Sequence, residues 1–211
     1  MQPPDDAPRA KPIGGLKQWL AFAGLRLCGW APDGDPPALA KYVIVAAPHT
    51  AFADAFWMLL FAVYFGVRVS WLVRESTVRG PFGWWLRRLG AIPVDRDRPA
   101  DLVARLTEAF RTRDRMLLAI APEGTRARRT HWKSGFYRVA RSAGVPICLT
   151  YLDYARRRAG FGPCFRTSAS VAADMDRVRA FYAGVCGKVP GQFTTPRLRE
   201  EESVEESADV A

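Results

Sequence analysis

The chain alternates short apolar segments with longer amphipathic ones, and this alternation restricts its fold more than any other feature. Short segments rich in β-branched residues occur at 42–47, 67–73, 91–94, 116–121, 145–152 and 165–171. Such segments are typical of buried strands. Apolar residues recur at helical spacing in the segments 16–30, 54–64, 80–90, 101–113, 135–142 and 172–183. Since strands and helices alternate, we predict a single α/β domain with a largely parallel central sheet flanked by helices.

Four regions differ in composition. We expect a flexible arm at 1–15, an apolar N-terminal helix with its linker at 16–37, the α/β domain at 38–190, and an acidic disordered tail at 191–211. The last twelve residues contain six acids and no base, and the rest of the chain carries 31 basic and 15 acidic residues, a net charge of +16. A body this basic favours an anionic partner, such as nucleic acid, an anionic membrane or a phosphorylated substrate.

Tryptophans accompany basic residues in two predicted helices. The helix at 16–30 is apolar nearly all round, so it either docks on the domain or lies in a membrane interface with its tryptophans as anchors. The segment 80–90 joins two tryptophans to two arginines, which suits the headgroup layer, although the rings could equally pack inward. The longest uncharged apolar run, 55–67, is shorter than the ~20 residues that a spanning helix needs. We expect peripheral association with a membrane and no spanning helix.

The cysteines give no sign of a metal site or a disulfide framework. The chain has four, without CxxC spacing, and only two histidines. A structural zinc site is therefore not expected. The amino end has no signal-like core, and nothing in the cysteine pattern demands an oxidising compartment, so we expect a cytoplasmic protein with reduced thiols.

Two of the predicted strands end in nearly the same way, one in Ala-Ala-Pro-His49 and the other in Ile-Ala-Pro-Glu123. The carboxyl ends of parallel strands are where open α/β sheets place their sites. Asp54 lies about one turn into the helix after His49, near enough to bond one ring nitrogen and leave the other as a base. The pair therefore indicates proton abstraction, although an aspartate at a helix start often serves only as a cap.

Basic and small residues follow the same strand ends. A third strand runs into Arg96, and Glu123 is followed by Gly124, Thr125 and Arg126. A single guanidinium group can donate two parallel hydrogen bonds to a phosphate, and a glycine lets the backbone approach a ligand. We expect a phosphate or headgroup site here. Arg74, at the end of another strand, is a further candidate for this site, with an ordinary surface role as the alternative.

Four stretches share the order and spacing of a known family. They are His49-x4-Asp54, Gly90-Ala-Ile-Pro-Val-Asp-Arg96, Glu123-Gly-Thr-Arg126 and Val145-Pro-Ile147. Over about residues 40–155 the chain resembles the glycerolipid acyltransferases, of the lysophospholipid or 1-acylglycerol-3-phosphate acyltransferase type. The segment from Trp132 to Ala140 is also similar to the lysine-glycine stretch that follows the family's third motif.

The resemblance implies a reaction and its partners. A fatty acyl group would pass from acyl-CoA or an acyl carrier protein to a hydroxyl of a lysophospholipid, in phospholipid biosynthesis. His49, oriented by Asp54, would be the general base, and Arg96, Glu123 to Arg126 and Arg74 would bind substrate. No metal or cofactor is expected beyond the acyl thioester as co-substrate. The expected partners are an anionic membrane surface, the lyso-lipid acceptor and the acyl donor.

Three other functions remain open at this level. A nucleic-acid-binding protein would use the arginine-rich face, but no nucleic-acid motif is present, so we expect no nucleic acid partner. An inactive lipid-binding module would keep the fold without the chemistry. A thioester hydrolase would use the same histidine and aspartate with water as acceptor.

Overall fold

The structure, a computed structural model, describes residues 15–80, 83–94 and 99–202. The strands are β1 (Ala31–Asp33), β2 (Lys41–Ala47), β3 (Val69–Arg74), β4 (Ala91–Val94), β5 (Met116–Ile120), β6 (Ile147–Asp153) and β7 (Arg158–Phe165). The helices are α1 (Leu16–Leu27), α2 (Ala53–Tyr64), α3 (Gly83–Arg88), α4 (Pro99–Thr112), α5 (Gly135–Ala143) and α6 (Val171–Tyr182), with 3₁₀ turns at Glu75–Val78 and Pro190–Gln192.

The seven strands form one sheet in the order β1-β7-β6-β2-β5-β3-β4. Every neighbouring pair is parallel except β6 and β7, which form an antiparallel hairpin. The predicted α/β domain with a largely parallel sheet is therefore confirmed. Because β2 lies at the centre between β5 and β6, the loops after these three strands meet at one edge of the sheet.

Helices cover both faces of the sheet. Alternate residues of β2 point to opposite faces: Val43 and Val45 pack with α4, α5 and α6, whereas Tyr42 and Ile44 pack with α2. Helix α1 lies over α2, where Leu25 is fully buried and Trp30 packs on Trp57. The core is thus a three-layer α/β/α arrangement with β2 and β5 buried along their length.

Two strand assignments from the sequence are wrong. The predicted strand at 165–171 is instead β7, which ends at Phe165, because the chain reverses after β6 through a tight turn at 154–157. The start of β7 was not predicted because the strand begins with a charged residue, Arg158, at the exposed end of the hairpin. The segment read as a linker also contains a strand, β1, which extends the sheet by pairing with β7.

The expectation of reduced thiols is wrong for two cysteines. Cys148 and Cys164 are direct partners across β6 and β7 and are joined by a disulfide. Cys28 and Cys186 are free thiols. The sequence could not reveal the pair, because it depends on the register of a hairpin that was not predicted.

The expected disordered tail is also wrong for residues 191–202. Leu198 is fully buried in the core, and Glu201 bonds Arg179 of α6 at 2.6 Å. The acidic composition predicted disorder, but one buried leucine and one ion pair are enough to hold the segment on the domain. We call residues 186–198 the C-terminal strap. Residues 203–211 and the predicted arm, apart from Gly15, lie outside the described part of the chain.

The tryptophan-rich helices expose apolar side chains. On α1, Leu16, Trp19 and Leu20 are more than half exposed, although Ala21 and Leu25 of the same helix are buried. On α3, Trp84 and Trp85 are exposed by 66% and 53%, so they do not pack inward. No helix within the described ranges is both long and apolar enough to cross a bilayer.

Candidate functional site

The loop after β2, residues 48–54, carries the histidine and is called the histidine loop. His49 Nδ1 lies 3.3 Å from Asp54 Oδ2, as the spacing predicted. The same oxygen accepts the main-chain N–H groups of Thr50 at 2.7 Å and Ala51 at 2.8 Å. Asp54 therefore folds the loop around itself and fixes the imidazole, leaving Nε2 as the basic nitrogen.

A tyrosine completes the environment of Asp54. Tyr154, directly after β6, donates its hydroxyl to Asp54 Oδ1 at 2.6 Å. Burial disfavours the charged form of Asp54, which is only 3% exposed, but hydrogen bonds from His49, Tyr154 and Ala51 outweigh it and lower the pKa of Asp54. Burial and the bond to Asp54 raise the pKa of Tyr154, so the phenol stays protonated as a donor. Asp54 is thus held as a carboxylate.

The loop after β5, residues 122–133, carries the remaining predicted groups and is called the glycine loop. Glu123 Oε1 accepts the main-chain N–H of His49 at 2.9 Å, which joins the two loops. Glu123 Oε2 is buried and finds no hydrogen-bond partner among the described residues. Burial raises the pKa of Glu123, although the His49 bond opposes this. Glu123 is therefore a loop contact with one oxygen to spare.

Three further residues of the glycine loop face the same space. Gly124 has φ +64°, the left-handed region that favours glycine, and an added Cβ would lie 2.9 Å from the Lys133 side chain. The guanidinium carbon of Arg126 lies 3.4 Å from the centroid of the Phe52 ring in the histidine loop. Two cations of this loop, Arg126 and Lys133, thus lie near the glycine turn.

A cleft of about 1370 Å³ opens between these loops. His49, Asp54, the run from Glu123 to Arg126, Arg74 and Lys133 all line it. Its apolar walls include Met58 and Phe61 of α2, Trp71 of β3 and Phe161 of β7. The cleft therefore joins a base and several cations to an apolar space under α2.

The structure brings together every predicted site residue that it describes. His49, Asp54, Arg74, Glu123, Gly124, Thr125 and Arg126 share the cleft. Arg96 lies outside the described residues. The second histidine, His131, contacts Thr130 and Glu202 through its two ring nitrogens.

The sequence analysis did not predict Tyr154 or Gln192 as site residues, and it gave no role to Lys133. Tyr154 follows β6, which is parallel to β2, so recognising where β6 ends would have placed Tyr154 at the same edge of the sheet as His49. Lys133 stands in the stretch that resembles the family, but nothing in its spacing placed it over Gly124. Gln192 was assigned to the tail, and no sequence signal indicated its contacts with the site.

Much of the chain matches known proteins. Residues 35–151 match the family model described as Acyltransferase. Over 108 residues the chain is 32% identical to a 1-acyl-sn-glycerol-3-phosphate acyltransferase of Streptococcus pneumoniae, a match that covers 51% of this chain. The matched region is only 39% of that relative's length.

A solved structure shares the fold. The crystal structure of the 1-acyl-sn-glycerophosphate (LPA) acyltransferase PlsC from Thermotoga maritima matches with a TM-score of 0.56 and 13% identity. The match covers 90% of this chain and 78% of that one. At this identity the likeness supports the architecture of the sheet and helices.

Proposed function

Because the chain belongs to the acyltransferase family, we propose that it transfers a fatty acyl group from acyl-CoA or an acyl carrier protein to a hydroxyl of a lysophospholipid, such as 1-acylglycerol-3-phosphate. The product class places the reaction in phospholipid biosynthesis. The observation that carries the proposal is the contact between the His49–Asp54 pair and Glu123 within one cleft, at 3.3 Å and 2.9 Å.

In the proposed mechanism His49 is the general base. Nε2 takes the proton of the acceptor hydroxyl while that oxygen attacks the thioester carbonyl. The tetrahedral intermediate then expels the thiolate, which takes the proton back from the imidazolium. Asp54 stabilises the transient positive charge, and Tyr154 keeps Asp54 in place. No acyl-enzyme is required, and general-base help of this kind contributes typically ~10²–10⁴-fold.

We assign the acceptor's phosphate to the cations at the glycine turn. Arg126 is held against Phe52, and Lys133 lies over Gly124, so a phosphate at the turn would meet both charges and the backbone. Thr125 adds a hydroxyl, and Arg74 adds charge from the end of β3. We assign the same role to Arg96, which follows β4 by two residues in the sequence.

The apolar part of the cleft suits an acyl chain. Its walls come from α2 and the strands beneath it, and they begin next to His49. An acyl chain inserted there would bring its thioester to the base while removing apolar surface from water.

We further propose that the protein works on an anionic membrane surface. The exposed tryptophans of α3 adjoin Arg87 and Arg88, and Arg88 stacks on Trp84 with its guanidinium carbon 5.0 Å from the ring centroid. Aromatic and basic side chains in this combination suit the headgroup layer. We also propose a cytoplasmic location, where acyl thioesters are used. The expectation of reduced cysteines no longer supports this location, because Cys148 and Cys164 form a disulfide.

The test is thiol release from a long-chain acyl-CoA and from an acyl-acyl carrier protein, with and without a panel of lyso-lipids. His49→Ala is compared with His131→Ala, which removes the chain's second histidine outside the proposed chemistry. We expect acceptor-dependent release that is lost in His49→Ala and retained in His131→Ala. Release without any acceptor would indicate a thioesterase. No release from either donor, with lipid binding retained in His49→Ala, would indicate an inactive lipid-binding module and overturn the proposal.

A further inference from the structure

The C-terminal strap lies directly against the histidine loop. The main-chain N–H of Val189 donates to Thr50 Oγ1 at 3.2 Å. At Gly187, an added Cβ would stand 2.9 Å from the Thr50 side chain and 3.1 Å from Pro48. Thr50 itself is 5% exposed and follows the catalytic histidine in the chain. The strap therefore supports the histidine loop through contacts separate from the hydrogen bonds to Asp54.

The same strap also holds the glycine loop. Thr194 Oγ1 donates to the carbonyl of Arg129 at 2.6 Å, and the N–H of Trp132 donates to the carbonyl of Arg197 at 2.8 Å. Leu198, fully buried, anchors the end of the strap in the core. Both loops of the site thus rest on one segment that follows the last helix.

Gln192 contacts both loops with one group. In the amide orientation that suits its neighbours, its side-chain nitrogen donates to the carbonyl of Arg126 at 2.5 Å and to the carbonyl of Thr50 at 3.0 Å. These carbonyls belong to the residue that carries the phosphate-binding guanidinium and to the neighbour of His49. An amide nitrogen has two hydrogens, so both bonds form at once.

We propose that Gln192 is a positioning residue that sets the distance between the base and the phosphate anchor. The inference rests on the proposed function, because it assigns the two loops to the two ends of one acceptor. An acceptor held by its phosphate at Arg126 presents its hydroxyl to His49 only if the loops keep their register. A misplacement of about 1 Å between reacting groups can cost roughly 10²-fold in rate.

Gln192→Met tests the bridge because it keeps the side chain's length and removes both hydrogen bonds. We expect acyl transfer to a lysophosphatidate acceptor to fall by roughly 10–100-fold in kcat. Thiol release to water should change by less than about threefold, since a water molecule is not held by the phosphate anchor and does not depend on the alignment of the two loops. The matched control is Gln18→Met, which makes the same substitution on α1, where the amide donates to the carbonyl of Tyr64 at 3.3 Å outside both loops, and it should retain transfer within about threefold. Equal losses of transfer and of release to water in Gln192→Met would mean a merely structural role and overturn the proposal.

Gln192→Glu tests the direction of the hydrogen bonds. An ionised carboxylate faces two carbonyl oxygens and repels them, whereas a protonated one can donate to one of them. The ratio of this variant's activity to native activity should therefore rise as the pH is lowered. A ratio that does not change with pH would mean that the amide does not donate to these carbonyls.

Hydrogen exchange gives a readout that needs no activity. The N–H groups of Thr50 and Ala51 are bonded to Asp54, so they report on the histidine loop. In Gln192→Met, peptides covering 49–54 and 123–129 should both exchange faster than in the native protein, while β2 and β5 keep their protection. Faster exchange in one loop only, or in neither, would overturn the bridge. If the native protein shows no acceptor-dependent release, the proposed function fails, and this arm still decides whether Gln192 joins the loops.

Discussion

The two loops of the site each contain a buried carboxylate, and their surroundings are opposite. Asp54 is 3% exposed and Glu123 is 5% exposed. Asp54 accepts hydrogen bonds on both oxygens, and its pKa is lowered despite the opposing effect of burial. Glu123 has one bonded oxygen and one for which the described part of the chain offers no hydrogen-bond partner, and burial raises its pKa.

This difference separates a loop that the protein orders by its own hydrogen bonds from a loop that presents groups for binding a ligand. The hydrogen bonds that orient His49 all come from the protein, so the base is ready before substrate arrives. The glycine loop presents two cations to the cleft, Arg126 and Lys133, which is what a site for a polar ligand requires. Substitutions in the two loops should therefore differ in their effects on kcat, on KM and on stability.

Asp54→Asn should have the largest effect. The amide removes the charge that stabilises the imidazolium and presents a donor where acceptors are needed, so kcat should fall by roughly 10²–10⁴-fold. The acceptor KM should change little, because the phosphate cations are untouched. Steady-state kinetics with acyl donor and lysophosphatidate measures both constants. A variant with native kcat would show that Asp54 serves only to fold the loop.

Glu123→Gln should lower activity and raise stability together. The amide oxygen still accepts from His49, but the group loses its charge-assisted bonds, so activity should fall by roughly 10–100-fold. Removing a buried charge with only one hydrogen-bonded oxygen among the described residues should raise the free energy of unfolding by about 1–3 kcal/mol at a pH above the folded pKa. Urea unfolding of both proteins measures this difference.

The pH dependence of that gain follows from the raised pKa. The folded protein binds the Glu123 proton more tightly than the unfolded chain, so native stability from this group is greatest at low pH and is lost as pH rises from the ordinary value of 4.5 through the folded pKa. The advantage of Glu123→Gln should therefore be absent at low pH and complete above the folded pKa. An advantage that is constant with pH would mean that the carboxylate has an unrecognised partner.

Lys133→Gln should weaken acceptor binding with a smaller loss. Lys133 lies over Gly124, where we place the phosphate, so the acceptor KM should rise by about tenfold with kcat nearly unchanged. Arg128→Gln is the matched control, since Arg128 is exposed in the same loop and is not among the cleft residues. An acceptor without phosphate should not distinguish Lys133→Gln from the native protein. Equal effects of the two substitutions would indicate a general effect of charge.

The sequence was sufficient for most of the fold because the parallel strands are continuous and apolar. β2, β5 and β6 are buried along much of their length, which is the signal that short β-branched runs give. β1 and β7 were missed because they lie toward one edge of the sheet, where Pro32 and Arg158 are tolerated. Edge strands carry less of the burial on which a sequence pattern depends.

The same reasoning explains which site residues were predicted. His49, Glu123 and Arg126 follow predicted parallel strands, so topology alone brings them together. Gln192 reaches the site from a segment whose acidic composition predicted disorder, and its contacts are to main-chain carbonyls that any residue supplies. Tyr154 depends on the hairpin between β6 and β7. Contacts that depend on tertiary packing give no regular residue spacing in the sequence from which they could be predicted.

Tyr154→Phe isolates the contribution of that missed residue and should have the smallest effect. Removing the hydroxyl leaves Asp54 its bonds from His49, Thr50 and Ala51, so activity should fall only about threefold to tenfold, and stability by about 1–2 kcal/mol at neutral pH. Because this bond helps to lower the pKa of Asp54, the carboxylate's stabilisation is present above its ordinary value of 3.8 and is lost as pH falls through the lower folded pKa. The stability difference between native protein and variant should therefore disappear in acid, as measured by urea unfolding over a pH series. A difference that persists there would mean that the hydroxyl stabilises the protein through a partner other than Asp54, such as the Trp57 side chain, because phenylalanine keeps the ring against Trp30.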